Sequence, residues 1–215
     1  MEIMEILNWK ILKHVQKRAK EWGVDYPDNA AEILKKTKRY FKKKNIRICF
    51  SACIHENQDY LNANAGMGII PIILNAEWAA HIVLKGHKPE VQNALLCTIG
   101  HELTHKDGDL YRTFRKKNNQ FIFWVNEVHA DYGSAQKMVN SERTRLLSAM
   151  EYKLSQKKSD SGDLNHPSWE KRIYYVKNFE TFGDELIDCI SVDTQCESEE
   201  LLEKAKKHFQ EIHLR

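Results

Sequence analysis

Two histidines four residues apart, His101 and His105, sit inside a run whose apolar residues also recur every four: Val91, Leu95, Ile99 and Leu103. That period commits the segment to a helix, and a helix places both imidazoles on one face, a turn apart. Pro89 suits the first turn, where its missing N–H costs nothing, and Gly108 suits the end, so the helix is expected from about Pro89 to Gly108. Whatever the rest of the chain does, it must leave room in front of these two rings.

The stretch reads His101-Glu102-Leu103-Thr104-His105, an arrangement in which both imidazoles can reach one cation, and zinc suits it. With three protein ligands and one open position, a water could bind whose pKa falls toward ~7, and Glu102 stands where it could take that proton. Ten histidines and nineteen glutamates make about 0.04 such matches expected from composition alone, so the surrounding residues must decide. A third ligand is needed. The metzincin arrangement, with a glycine three residues after the second histidine and a third histidine six after it, fails here: Gly108 is in place, but the sixth residue is Tyr111.

The alternative is a carboxylate from the next helix, expected over about Phe121 to Asn140, where Glu127 and Asp131 lie four apart on one face. Phe121, Ile122, Phe123, Trp124 and Val125 predict that this segment is largely buried, and buried carboxylates require partners. Glu127 is therefore the expected third ligand, with Asp131 orienting a ligand histidine through its other ring nitrogen. His129 points to a different face and is expected to be structural or exposed. His14, His55, His81, His87, His208 and His213 have no ligand spacing and receive no role.

Ile3, Leu7, Ile11 and Val15 predict an N-terminal helix, Gly23 to Pro27 break it, and Ile33, Leu34, Thr37, Tyr40 and Phe41 stripe a second helix. Lys35, Lys36, Lys38, Arg39, Lys42, Lys43 and Lys44 fill the rest of that helix and read as a solvated face rather than a nucleic-acid contact surface. Strands are expected over Ile46 to Ile54 and Gly68 to Leu74, the second at a sheet edge because Pro71 cannot donate to a ladder. An extended peptide could pair with that edge, with Gly68, Ile69 and Ile70 as the contacting residues. A helix starts at Ser168, a polar loop is expected from Ser155 to Asn165, and Ser198 caps a last charged helix ending near His213. The expectation is a mainly helical α+β domain with a small sheet whose edge strand borders the helix of His101 and His105. A single domain over 1–215 would comprise N-terminal helices (1–45), a core (46–180) and a C-terminal tail (181–215).

A formal charge of +3, from 33 basic and 30 acidic residues, gives no general argument for nucleic acid or an anionic membrane. The five cysteines, Cys49, Cys53, Cys97, Cys189 and Cys196, read as free thiols of a reducing compartment. Polar residues interrupt both the early apolar positions and the apolar region Met67 to Leu84, which argues against a secretory signal and a membrane span and for a cytoplasmic protein.

Three motifs in order, His101-Glu102-x-x-His105, Glu127-x-x-Ala130-Asp131 and His166-Pro167-x-x-Glu170-x-Arg172-Ile173, resemble the gluzincin metallopeptidases of the HtpX and CAAX-prenyl-protease type. Asn62-Ala63-Asn64-Ala65 followed by Gly68 to Leu74 resembles that family's Asn-Ala loop and edge strand, so the resemblance covers about Ile46 to Phe179. It implies a zincin-like fold, zinc on His101, His105 and Glu127, catalysis by Glu102, support from Asp131, and hydrolysis of a peptide or protein substrate. It also implies that His166 stabilises the tetrahedral oxyanion. Arg172 would brace an acidic ligand or aid the transition state, its alternative being a surface salt bridge. The family's membrane helices have no counterpart here, and the compact soluble minigluzincins are the closer analogy; some of those are held inactive by their own terminal segment, which leaves open a reading of the tail from Asp184 to Arg215 as an intramolecular inhibitor. Two other readings stay open: a zinc-binding interaction protein without turnover, disfavoured by the intact Glu102, and a peptidase guided to nucleic-acid-bound proteins by Lys35 to Lys44 and by Arg115, Lys116 and Lys117.

Overall fold

The computed structural model describes residues 2–52, 60–65, 70–110, 119–138, 143–157 and 161–213. Cys53, His55, Gly68, Ile69, Tyr111, Arg115, Lys116 and Lys117 therefore lie outside the described residues. Helix α1 (Glu2–Trp22) buries Ile11, Val15 and Ala19 along its four-residue stripe. It stops where Gly23 takes a left-handed conformation, φ +63°, which lets Val24 N donate to Ala19 O at 3.0 Å and Gly23 N to Lys20 O at 3.4 Å. A side chain disfavours that conformation, and the paired bonds satisfy carbonyls the helix leaves open. Helix α2 (Ala30–Lys43) follows, with Ala30, Leu34 and Phe41 buried.

Three strands make one mixed sheet in the order β1-β3-β2: β1 (Ile48–Ser51) runs parallel to β3 (Ile72–Asn75), and β2 (Ala63–Ala65) runs antiparallel to it. The expected edge position of the second apolar run is thus incorrect. Pro71 stands one residue before the ladder begins, so its missing N–H removes no bond, and Ile72 N donates to Arg47 O at 2.9 Å. Ile72 and Leu74 are buried in the central strand. The edge that borders the histidine helix is β2, which packs on α4 (Pro89–Gly108). Ile70, at 48% exposure, precedes the central strand, and its carbonyl accepts a 2.6 Å hydrogen bond from Lys106 Nζ.

Strand β3 passes directly into α3 (Ala76–Lys85), capped by Asn75, whose side chain accepts from Trp78 N at 3.2 Å. This helix is buried almost all round, from Glu77 to Leu84, and α1, α2 and the sheet pack on it. An element buried on every side shows no 3.6-residue stripe, which is why sequence periodicity did not separate it from the preceding strand. Its two buried polar side chains belong to a network: Glu77 meets Arg18 Nε at 2.8 Å, His14 Nε2 at 2.8 Å and His81 Nε2 at 3.5 Å, while His81 Nδ1 meets the Tyr152 hydroxyl at 2.7 Å. His14 and His81, expected to have no role, tie α1, α3 and α6 (Arg143–Ser155) together.

Helices α5 (Gln120–Met138), α7 (Trp169–Asn178), α8 (Asp184–Asp193) and α9 (Glu199–His213) complete the described fold. Apolar residues form two clusters. The larger joins α1, α2, the sheet, α3, α6 and the first half of α4. The smaller joins Phe121, Ile122, Val125 and Val128 of α5 to Leu186, Ile187 and Ile190 of α8 and Ala205 and Phe209 of α9. Tyr132 of α5 packs against both, so Glu127 and Asp131 fall where the two cores meet. The tail from Asp184 supplies part of the second core and reaches α4 at Gly108, whose carbonyl accepts from His208 Nε2 at 2.9 Å. Among the described residues no helix is long and apolar enough to cross a membrane. Cys49, Cys97, Cys189 and Cys196 are free thiols, as the sequence suggests.

Helices α4 and α5 approach closely because two glycines face the contact. A Cβ on Gly100 would lie 2.9 Å from both Ser134 Cα and Ser134 O, and one on Gly133 would meet the Thr104 side chain. The Ser134 atoms are backbone, so only a shift of a whole helix could relieve the clash. Gly100→Ala is therefore expected to cost about 1–3 kcal/mol despite alanine's better helix propensity. Thermal unfolding measures the effect; an unchanged midpoint would contradict this close packing.

Candidate metal centre

One turn of α4 presents His101 and His105 toward α5, which presents Glu127 between them. The two Nε2 atoms are 2.9 Å apart; His101 Nε2 lies 3.4 Å from Glu127 Oε2, and His105 Nε2 lies 3.3 Å from Oε1. A tetrahedral ion with ligand bonds of 2.0–2.1 Å sets its ligand atoms about 3.3 Å apart, which the two histidine–glutamate separations match, while the two imidazoles would have to part by about 0.4 Å. The three ligand side chains are 12%, 16% and 13% exposed. Glu102, adjacent to His101 on α4, is buried.

Each imidazole is held from behind. His101 Nδ1 lies 3.1 Å from Asp131 Oδ1, and His105 Nδ1 lies 2.8 Å from Asp109 Oδ1. With the Nδ1 proton donated to a carboxylate, the Nε2 lone pair is left for a metal. Asp131 was expected in this position. Asp109 was not, although its spacing of four from His105 is a signal the sequence carries. Asp131 is in turn gripped by Arg172, with Nε at 2.8 Å from Oδ2 and Nη2 at 2.5 Å from Oδ1, and Arg172 Nη1 reaches Glu127 Oε2 at 3.3 Å. The guanidinium also covers the Trp169 ring at 4.0 Å. Of the two readings of Arg172, the surface salt bridge is incorrect: the side chain is buried across two carboxylates. The Ser168 cap, whose hydroxyl accepts from Lys171 N at 3.1 Å, starts α7 so that Arg172 faces this way.

The electrostatics are those of a cation site. Burial pulls the His105 imidazole toward the neutral form, but hydrogen bonds and charge from Asp109 and Glu127 overcome this and hold its pKa well above the ordinary value. Burial pushes the Glu127 carboxyl up, yet His101 and His105 hold it well below the carboxylate range. Asp131 behaves likewise, burial being outweighed by Arg172 and His101. A proton on His105 and a metal cation compete for the same field.

His166 projects from the loop before α7, 56% exposed, with Nε2 3.9 Å from Glu127 Oε1. Asp163 fixes it by accepting from its backbone N at 2.7 Å and meeting Nδ1 at 3.1 Å. The three motifs thus converge on one place. His129, on the opposite face of α5, is buried against Phe182 and Phe209 and belongs to the second core. Behind His101 and Asp131 a cavity of about 10 Å³, room for one water, is lined by Thr98, Ser134 and Lys153 among others. Lys153 meets Thr98 Oγ1 at 3.2 Å and the Trp169 ring at 4.5 Å; burial, aided by the Arg172 charge, pulls its ammonium down to about 8. Nothing in its sequence context signals that position. Comparisons with protein-family models, curated proteins and solved structures gave no match for this chain.

Proposed function

We propose that this chain is a zinc-dependent endopeptidase, with His101, His105 and Glu127 as the zinc ligands and Glu102 as the general base. The observation that carries the reading is the convergence of three ligand atoms within 4.8 Å of one another, with Glu102 next to His101 on the same helix. Two imidazoles and one carboxylate as the ligand set favour zinc over ions that demand six oxygens. Zinc bound there would polarise a peptide carbonyl and render a neighbouring water acidic enough to ionise near neutral pH.

Glu102 accepts the proton of the attacking water and returns it to the departing amine. His166, held by Asp163 with Nε2 on the Glu127 side, donates to the oxygen that gains negative charge at the reacting carbonyl. Asp131, Asp109 and Arg172 contact no reacting atom; they position the ligands. An extended substrate backbone pairs with the outer edge of β2, the strand beside α4, and not with the central strand.

The test is the zinc content of the wild type beside Glu127→Ala, scored with cleavage of a broad peptide library. The expected result is one zinc per chain and peptide hydrolysis in the wild type. Loss of a mere supporting partner already costs 10–100-fold in metal affinity, so the substitution should cost more than about 100-fold. Full retention of zinc by the variant would remove Glu127 from the ligand set. A wild type that holds zinc through Glu127 but cleaves nothing would instead be a zinc-binding interaction protein.

A further inference from the structure

The basic run of α2, which sequence alone reads as a solvated face, is a more concentrated feature in the folded chain. Eight of the 33 basic residues and one of the 30 acidic residues fall within 30–47, so that segment carries +7 and the remainder of the chain −4. Lys35, Lys36, Arg39, Lys42 and Lys43 are all exposed. At 3.6 residues per turn they share one sector of about 120°, opposite the face that buries Leu34 and Phe41, and extend about 12 Å along the axis. The only acidic residue of the helix, Glu32, is engaged by Arg39 at 3.2 Å. Tyr40, 49% exposed, stands at the margin of this sector with Lys44 Nζ 5.1 Å from its ring centroid.

We infer that this face of α2 binds single-stranded nucleic acid, its cations tracking the phosphates and Tyr40 stacking on an unpaired base. Backbone phosphates supply most non-specific affinity, and an aromatic ring beside a cationic track provides the usual stacking platform. An anionic bilayer fits less well, because an interfacial helix needs a continuous apolar face to insert and that of α2 is spent on the core. An acidic protein partner fits less well too, because the sector lacks the apolar centre that such interfaces bury. Helix α2 packs chiefly on α3 and β1, so this face does not depend on the metal centre and the inference stands apart from the proposed peptidase activity.

The experiment is fluorescence anisotropy of a labelled 20-nucleotide oligothymidylate with the full-length chain, from 50 to 200 mM salt. Three to four neutralised phosphates predict an affinity loss of roughly tenfold or more over that range. A variant carrying Lys35→Gln, Arg39→Gln, Lys42→Gln and Lys43→Gln should lose at least about tenfold at low salt, and Tyr40→Ala alone about tenfold. An equal-charge control, Lys88→Gln with Lys177→Gln, Lys204→Gln and Lys207→Gln, should bind as the wild type does. All these positions are exposed, so unfolding midpoints should match. Absence of saturable binding at 50 mM salt overturns the inference, as does an equal loss in the control. Binding to phosphatidylserine–phosphatidylcholine vesicles without binding to the oligonucleotide overturns it in favour of a membrane surface.

Discussion

Glu102→Gln is expected to lower peptide hydrolysis by a factor of about 10² to 10⁴ while leaving one zinc per chain. The substitution preserves shape and keeps the side chain polar but replaces the basic carboxylate with an amide that cannot take a proton from water. Glu102 is buried on α4 beside His101, and the three ligand atoms come from His101, His105 and Glu127, so metal content should not follow activity. A Glu127→Ala chain should lose both. Measuring zinc by elemental analysis and turnover on the same samples separates the two residues. Undiminished hydrolysis by Glu102→Gln would require another base, and loss of zinc from it would mean that Glu102 is itself a ligand.

The second large effect lies away from the metal centre. Glu77→Ala should destabilise the fold by about 3–5 kcal/mol, because it takes the buried carboxylate from Arg18, which also meets Glu21, and removes an acidic partner of His14 and His81. For a chain of this length that corresponds to a fall in melting temperature of roughly 6–20 °C. Burial alone would raise the Glu77 pKa, but hydrogen bonds from His14, His81 and Arg18 hold it well below the carboxylate range. A depressed carboxylate contributes fully above its unfolded pKa of about 4.3 and loses the contribution as pH falls toward the folded value. The gap between wild type and Glu77→Ala in denaturant unfolding should therefore be constant from pH 7 to about 5 and narrow below about 4. A gap that widened on acidification would reverse the assigned sign.

These two sites differ in how far the residues announced them. Helix α4 runs from Pro89 to Gly108 as its spacing and end residues indicate, and α7 and α9 begin after Ser168 and Ser198. Such signals are local: a stripe every 3.6 residues, a proline at the first turn or a hydroxyl cap involves only neighbours in the chain. The candidate ligand cluster was legible for the same reason, since each of its two halves is a pair of residues four apart on one helix. Only the pairing of the halves is long-range, and the need of a buried carboxylate for a partner pointed to it.

The Glu77 cluster was harder to find. His14, Arg18, Glu77, His81 and Tyr152 come from three helices; His14 and Arg18, and Glu77 and His81, are also four apart, but α3 shows no helical period in the sequence that would put Glu77 and His81 on one face. Strand order failed for a related reason: Pro71 bars a ladder bond only at its own position, and the ladder starts at Ile72, so the residue that suggested an edge precedes a central strand. Helix α3 was hidden because burial on every side erases the period that reveals a half-exposed helix. Residue spacing and end signals indicated α1, α2, α4, α5, α7 and α9, the Ser168 and Ser198 caps and the candidate ligands, but not α6 or α8. Tertiary structure alone decided strand order, the Gly100 and Gly133 contact that brings α4 against α5, and the partners of Arg172 and Glu77, because these depend on which distant surfaces bury each other.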